Sequence, residues 1–235
     1  MNEEIKNKIV LILGGTGAIG SAIAAALRRE GAVVFQHGIE GQYAADVRKD
    51  GVRKLIEKVL AEAGRVDILI NALSAPAKIG PVENKNWEAF QEQFNVQLKA
   101  AVEAALILVP LMKQKKDGKI INILTSYVEG EPPASLADYV TAKYAMLGFT
   151  KALAKELSRW SIAVNAVSPD IIKNKFSRSV PEKYFEIAAA QTSTGRLTVE
   201  EDVAKAVLLA VSKKAAEASG RNFVISGGKI IHVSN

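Results

Sequence analysis

The sequence has no cysteine, which excludes disulfides, thiolate metal sites and a cysteine nucleophile. Its two histidines, His37 and His232, are distant in the chain, and no metal site is expected from them. Aromatic residues make up only 6% of the chain, and no basic stretch is interleaved with them, so nucleic acid is not an expected partner. Long apolar runs are also missing. Ile9–Leu13 is short, and Ala104–Met112 falls well below membrane-spanning length and contains Pro110. The opening Met1-Asn2-Glu3-Glu4 is acidic where a secretory leader would be basic. These absences predict a soluble protein with no membrane role, in keeping with a reducing cytoplasm.

What is present reads as globular. With 235 residues, 49% of them hydrophobic and 24% charged, the chain suits one large α/β domain spanning residues 1–235. The net charge of +6 is spread along the chain apart from Lys113, Lys115 and Lys116. That cluster reads as the solvated end of a helix, where cations complement the dipole. An acidic partner is the functional alternative.

Apolar β-rich runs alternate with helical patterns throughout. Strands are expected at Lys8–Leu13, Val33–Gln36, Asp67–Asn71, Lys119–Leu124, Ile162–Val167 and Asn222–Ile225, with a short one at Tyr43–Asp46. Helices are expected at Ala18–Glu30, Lys49–Ala63, Trp87–Lys115, Ala137–Arg159 and Glu200–Lys213. Strands of continuous Val, Ile and Leu mark a parallel sheet covered on both faces. Right-handed crossovers then give a doubly wound, Rossmann-type sheet. One connection is too short: residues 37–42, between Gln36 and Tyr43, cannot hold a crossover helix. Either that helix is lost, or Tyr43–Asp46 is not a strand of the same sheet.

Gly14-Gly15-Thr16-Gly17-Ala18-Ile19-Gly20 lies between the first strand and the first helix. Glycines at 14, 17 and 20 permit a tight turn and close backbone approach to a pyrophosphate. The helix start would add free N–H groups and a partial positive charge. Further on, Tyr139-Val140-Thr141-Ala142-Lys143 sets a phenol and an ammonium one helical turn apart. A cation in that place would lower the tyrosine pKa, suiting it to exchange a proton with a carbonyl or alcohol oxygen.

With these motifs the sequence resembles the short-chain dehydrogenase/reductase family over about residues 6–228. Asp67-Ile68-Leu69-Ile70-Asn71-Ala72, Phe94-Asn95-Val96, Val164-Asn165-Ala166-Val167-Ser168-Pro169 and Ser226-Gly227-Gly228 all look like family segments in family order. Ser126 stands thirteen positions before Tyr139, the family's usual serine spacing, although Thr125 beside it could be confused with it. The resemblance implies catalytic roles for four residues. Tyr139 would be the general acid/base, Ser126 would hydrogen-bond the substrate oxygen, and Asn95 would hold a relay water. Lys143 would bind the nicotinamide ribose and tune Tyr139. It also implies a cofactor site made of Gly14, Thr16, Gly17, Ala18, Ile19 and Gly20 at the pyrophosphate. His37, Gly38, Asp46 and Val47 would stand around the adenosine. Asn71, Ala72, Tyr139, Lys143, Pro169, Ile172 and Asn174 would lie towards the nicotinamide.

Several positions depart from the family pattern. Ala18 replaces a glycine, Asp170 follows Pro169 where glycine is usual, and Asn174 stands where threonine is common. No acid occupies position 38 to take the adenosine 2′-hydroxyl, so NADP is favoured over NAD, and His37 reads as a surface loop residue. The substrate loop, about 170–195, carries Phe176, Tyr184 and Phe185, which could line an apolar pocket or simply pack. His232 reads as a tail or interface residue. The expected reaction is hydride transfer between nicotinamide and a carbonyl or secondary alcohol. A 3-oxoacyl thioester is the leading substrate, which would make an acidic acyl carrier a partner. The alternatives are a small cyclic substrate such as a pteridine, sugar or cyclic diol, or a non-catalytic nucleotide-binding sensor. The resemblance further implies a homo-oligomer, dimer or tetramer, assembled through helices Trp87–Lys115 and Ala137–Arg159.

Overall fold

Residues 3–178 and 180–230 of the computed structural model are described below, except for the side chains of Phe176 and Ala216. His232 lies outside them. In strand β1 (Ile9–Leu13), Ile9, Leu11 and Leu13 enter one apolar cluster while Val10 and Ile12 enter another. This period of two, apolar on both sides, is what a parallel strand covered on two faces requires. β1 pairs in parallel with β2 (Val33–Gln36) on one side and β3 (Ile68–Asn71) on the other. Next come β4 (Gly118–Ile123), β5 (Ile162–Pro169) and β6 (Asn222–Ile225), giving one six-stranded parallel sheet in the order β2-β1-β3-β4-β5-β6.

The helices are α1 (Ala18–Arg29), α2 (Gly51–Ala63), α3 (Trp87–Gln93), α4 (Ala100–Lys115), α5 (Ala137–Leu157), α6 (Glu182–Ala190), α7 (Glu200–Ala210) and α8 (Lys213–Ala216). α1 and α7 close one face of the sheet through Ile23, Leu27, Val203 and Val207. α2 and α4 cover the other through Ile56, Val59, Ala104 and Leu108, with the end of α5 beside them at Ala154 and Leu157. The run Trp87–Lys115 is long and apolar enough, by length and composition, to cross a membrane. Here it is a core element, because Val96, Ala100, Ala104, Leu108 and Met112 pack into the cluster that covers the sheet. Lys115 in its last turn reaches the buried carboxylate of Asp67 (2.5 Å), so part of the basic cluster is structural and not simply solvated.

Tyr43–Asp46 does not form a strand. Between β2 and α2 the chain makes one isolated parallel bridge, Gly38 with Ala44, and Ala45 N–H donates to Gly38 O (3.1 Å). The Tyr43 ring meets the Phe35 ring edge-on at 5.2 Å, and its hydroxyl donates to Glu62 (2.6 Å). A loop anchored by one aromatic contact therefore stands where a crossover helix and a further strand would otherwise fit, and β2 is the sheet's edge.

A buried polar line joins the sheet to the helix that carries Tyr139. Asn71 Nδ2 donates to Asn122 Oδ1 (2.7 Å), Asn122 Nδ2 to Thr150 Oγ1 (2.8 Å), and Thr150 Oγ1 to Met146 O (2.7 Å). Removing the middle member leaves the buried Asn71 donor without its partner. Asn122→Ala is expected to cost about 2–3 kcal/mol of stability in urea unfolding. A loss under about 0.5 kcal/mol would show that the line carries no load.

Candidate active site

The sheet order reverses at β1, because the chain leaves β1 for β2 on one side and returns to β3 on the other. The crevice beyond the strand ends at such a switch point is where doubly wound sheets bind ligands. The glycine turn lies there. Gly14 has φ +78°, and a Cβ on it would fall 2.6 Å from Ala72 O of the segment after β3. A Cβ on Gly20 would fall 2.2 Å from Gly14 O, so α1 can start against the turn only through glycine. Ala18 is tolerated where glycine is usual because it opens α1 with ordinary helical geometry. No acidic side chain stands in the first turn of α1, which leaves its amino end open to an anion.

His37 is buried, not a surface loop residue. Gly14 N–H donates to its Nδ1 (3.0 Å), and its Nε2 lies 3.0 Å from Ala45 O. Burial lowers its pKa below the ordinary 6.5, with the Ala45 bond opposing, so the ring is neutral near pH 7. A Cβ on Gly38 would fall 2.2 Å from Thr16 Oγ1, so any side chain at that position would have to displace Thr16.

A cleft of about 540 Å³ runs from this turn to Tyr139 and Lys143. Gly14, Thr16, Gly17, Ala18, Ile19, Gly20, His37, Gly38, Ala72, Pro169, Ile172 and Asn174 all line it. Asp46, Val47 and Asn71 are not among its lining residues. Asp46 is turned to solvent and pairs with Arg48 (3.3 Å), Val47 is in the core, and the Asn71 amide is committed to Asn122. The short loop is the cause for the first two, since it carries them straight into α2.

At the other end, α5 presents Tyr139 and, one turn later, Lys143. Lys143 Nζ donates to Ile123 O at the end of β4 (2.9 Å) and stands 5.6 Å from the Tyr139 ring centre. Burial dominates both groups. It pushes the Tyr139 hydroxyl up to about 12, against a hydrogen bond from Thr125 that pulls it down. It also brings Lys143 down to about 7. The expected lowering of the tyrosine by its lysine is therefore outweighed, because burial penalises the charged form of each group.

Ser126 is not among the cleft-lining residues. Its side chain is fully buried in a 3-10 turn, Ser126–Val128, and donates to Asp170 Oδ1 (2.8 Å). Thr125 beside it does line the cleft, near Tyr139. Spacing from Tyr139 cannot separate these neighbours, because the loop between them has length to spare. The only signal available was Thr125 itself, adjacent and chemically equivalent. Asp170 lines the cleft, and its other oxygen is 3.5 Å from Lys229. Asn95 sits half-buried in a π-helical segment, Phe94–Lys99, that joins α3 to α4, and is not among the cleft-lining residues.

The remaining wall is mainly apolar, with Ala75, Ile79, Val180 and Pro181 alongside Tyr127 and Tyr184. Of the loop aromatics, Tyr184 lines the cleft and Phe185 is packed; the side chain of Phe176 lies outside the described residues. A buried ion pair, Lys85 with Asp138 (2.8 Å), fastens the segment after β3 to the residue before Tyr139. The same ammonium donates to Lys78 O (2.7 Å).

A family model described as Enoyl-(Acyl carrier protein) reductase matches residues 15–229. The 3-oxoacyl-[acyl-carrier-protein] reductase of Thermotoga maritima is 29% identical, over 97% of this chain and 99% of that one. The 3alpha-hydroxysteroid dehydrogenase of Mediterraneibacter gnavus is 29% identical, over 95% and 97% respectively. Among solved structures, the 3-ketoacyl-(acyl-carrier-protein) reductase of Brucella melitensis, complexed with NADH, superposes with a TM-score of 0.89 at 26% identity, covering 97% of this chain and all of that one. With the switch-point turn and the Tyr139/Lys143 pair at either end of one cleft, the chain belongs to the short-chain dehydrogenase/reductase family of NAD(P)-dependent oxidoreductases.

Proposed function

We propose that the chain moves hydride between a nicotinamide dinucleotide and a carbonyl or secondary alcohol, with Tyr139 exchanging the proton and Thr125 in the place expected of Ser126. The observation that carries this is that Thr125, Tyr139 and Lys143 line one cleft with the glycine turn. The cofactor fits on the chain's own terms: the glycine turn leaves its backbone open, and α1 points an uncapped amino end at the crevice. When bound, it supplies the hydride. In reduction the Tyr139 hydroxyl gives its proton to the substrate oxygen as the carbonyl carbon gains hydride. Thr125 hydrogen-bonds the same oxygen, and the Lys143 ammonium steadies the phenolate left behind. Tyr139 is a phenol across the physiological range, the state that reduction needs. For Asn95 the support is its π-helical turn, a feature that recurs at functional sites.

For the cofactor, the geometry supports NAD over the NADP favoured from sequence. Among the described residues, those lining the turn end of the cleft include no arginine or lysine, and His37 there is neutral. A 2′-phosphate would lack a charged partner, whereas a 2′-hydroxyl needs none.

The apolar wall and the names of the relatives support a 3-oxoacyl thioester as substrate. Exposed Arg178 and Lys183 on the substrate loop would suit an acidic carrier protein. Asp170 favours a second reading, a ring substrate bearing a hydroxyl, since it adds a buried carboxylate, bonded to Ser126, to the residues lining the cleft. Exposed Leu106, Leu111 and Tyr144 on α4 and α5 support a homo-oligomer, and the absence of cysteine fits a cytoplasmic setting.

With an accepted ketone, Tyr139→Phe is expected to lower kcat by about 10²–10⁴ while NADH still binds. Thr125→Ala is expected to lower it by about 10² and Ser126→Ala by less than about threefold. Equal losses in the two hydroxyl variants would remove Thr125 from its role. A pH series gives a separate check. Burial lowers the Lys143 pKa, so its charge is present below about 7 and is lost above it. Reductive kcat/KM should therefore fall as pH rises through about 7, and alcohol oxidation should rise towards alkaline pH. A reductive profile flat from about pH 6 to about pH 9 would contradict this.

A further inference from the structure

One buried titratable group has no part in the hydride chemistry. His37 is 3% exposed, and four hydrogen bonds close on it from two sides. From the turn, Gly14 N–H donates to Nδ1 (3.0 Å) and Thr16 N–H to the His37 carbonyl (3.2 Å). From the strand and loop, His37 N–H donates to Ile12 O (3.0 Å), and Nε2 lies 3.0 Å from Ala45 O. A carbonyl can only accept and a backbone N–H can only donate, so the ring is held as the neutral tautomer with its proton on Nε2. The imidazole thus bridges the phosphate-binding turn to the short loop that replaces a crossover helix.

We propose that His37 is the positioning residue that holds the glycine turn and the 38–47 loop in register for the pyrophosphate and adenosine of the dinucleotide, and that it does so only as a neutral imidazole. The proposal rests on the reading that this cleft binds a dinucleotide. Protonation would set an Nδ1–H against the Gly14 N–H, two donors face to face, and would bury a cation. Charged groups on the adjoining elements have other partners or face water. Asp46 pairs with Arg48 (3.3 Å), Glu62 accepts from Tyr43, Arg28 of α1 engages Gln36 and Val34, and Glu40 is exposed. Burial keeps the pKa below 6.5, so the pin is intact above that value and is lost as pH falls through the lowered one.

ADP-ribose tests this with the full-length protein, because it fills the turn and adenosine end and has no nicotinamide to meet Lys143. By titration calorimetry its Kd should rise from about pH 7.5 to about pH 5.5, with about tenfold as the ceiling that a pKa below 6.5 allows. His37→Gln keeps an acceptor for Gly14 and a donor for Ala45 but does not titrate. It should bind within about threefold of the native chain at the higher pH and hold that Kd at the lower. His37→Leu should bind more weakly at both, and if it fails to fold, the glutamine variant still decides. A native Kd independent of pH, or the same pH dependence in His37→Gln, would overturn the proposal. ADP-ribose that binds folded native protein at neither pH would overturn the dinucleotide reading itself, and this proposal with it.

Discussion

The approach of two backbones at the switch point constrains everything around it. The turn after β1 comes so near the segment after β3 that a Cβ on Gly14 would sit 2.6 Å from Ala72 O, and α1 begins so near the turn that Gly20 admits none either. The first contact follows from β1 lying beside β3, with β1 leading to α1 on one face and β2 and β3 leading to α2 and α4 on the other. The crevice exists because the sheet order reverses there, and it can bind phosphate because glycine keeps it lined with backbone.

At the other end, burial and not proximity sets the chemistry. Tyr139 and Lys143 are a helical turn apart, yet burial raises the pKa of one to about 12 and lowers that of the other to about 7. Their mutual support grows when a phenolate forms, which is the moment at which reduction needs it. Lys85 and Asp138 tie the apolar wall to the same helix start, while the Asn71–Asn122–Thr150 line ties that helix to the sheet. Substrate wall, acid and cofactor turn are thus referred to one frame.

Much of this was legible in the residues. Every long strand, the glycine turn and the Tyr139/Lys143 helix came from periodicity and motif order, because both depend on local chain geometry. Less was legible where a side chain's direction depends on a loop. Ser126 has the right spacing but turns into Asp170, and Thr125 takes the cleft. Tyr43–Asp46 has strand-like residues but no room for the crossover that would make it a strand. His37 looked exposed because its neighbours are loop residues; its burial depends on Gly14 and Ala45, which the chain brings together only in three dimensions.

Hydride transfer beside Tyr139 is the central claim, and isotope transfer measures it directly. With NADH carrying deuterium at the reactive C4 position and an accepted ketone, mass spectrometry of the product should find the deuterium on the new carbinol carbon. The hydroxyl proton should come from solvent. Product formed without the label on carbon, or with carbon-bound hydrogen drawn from solvent, would contradict the account.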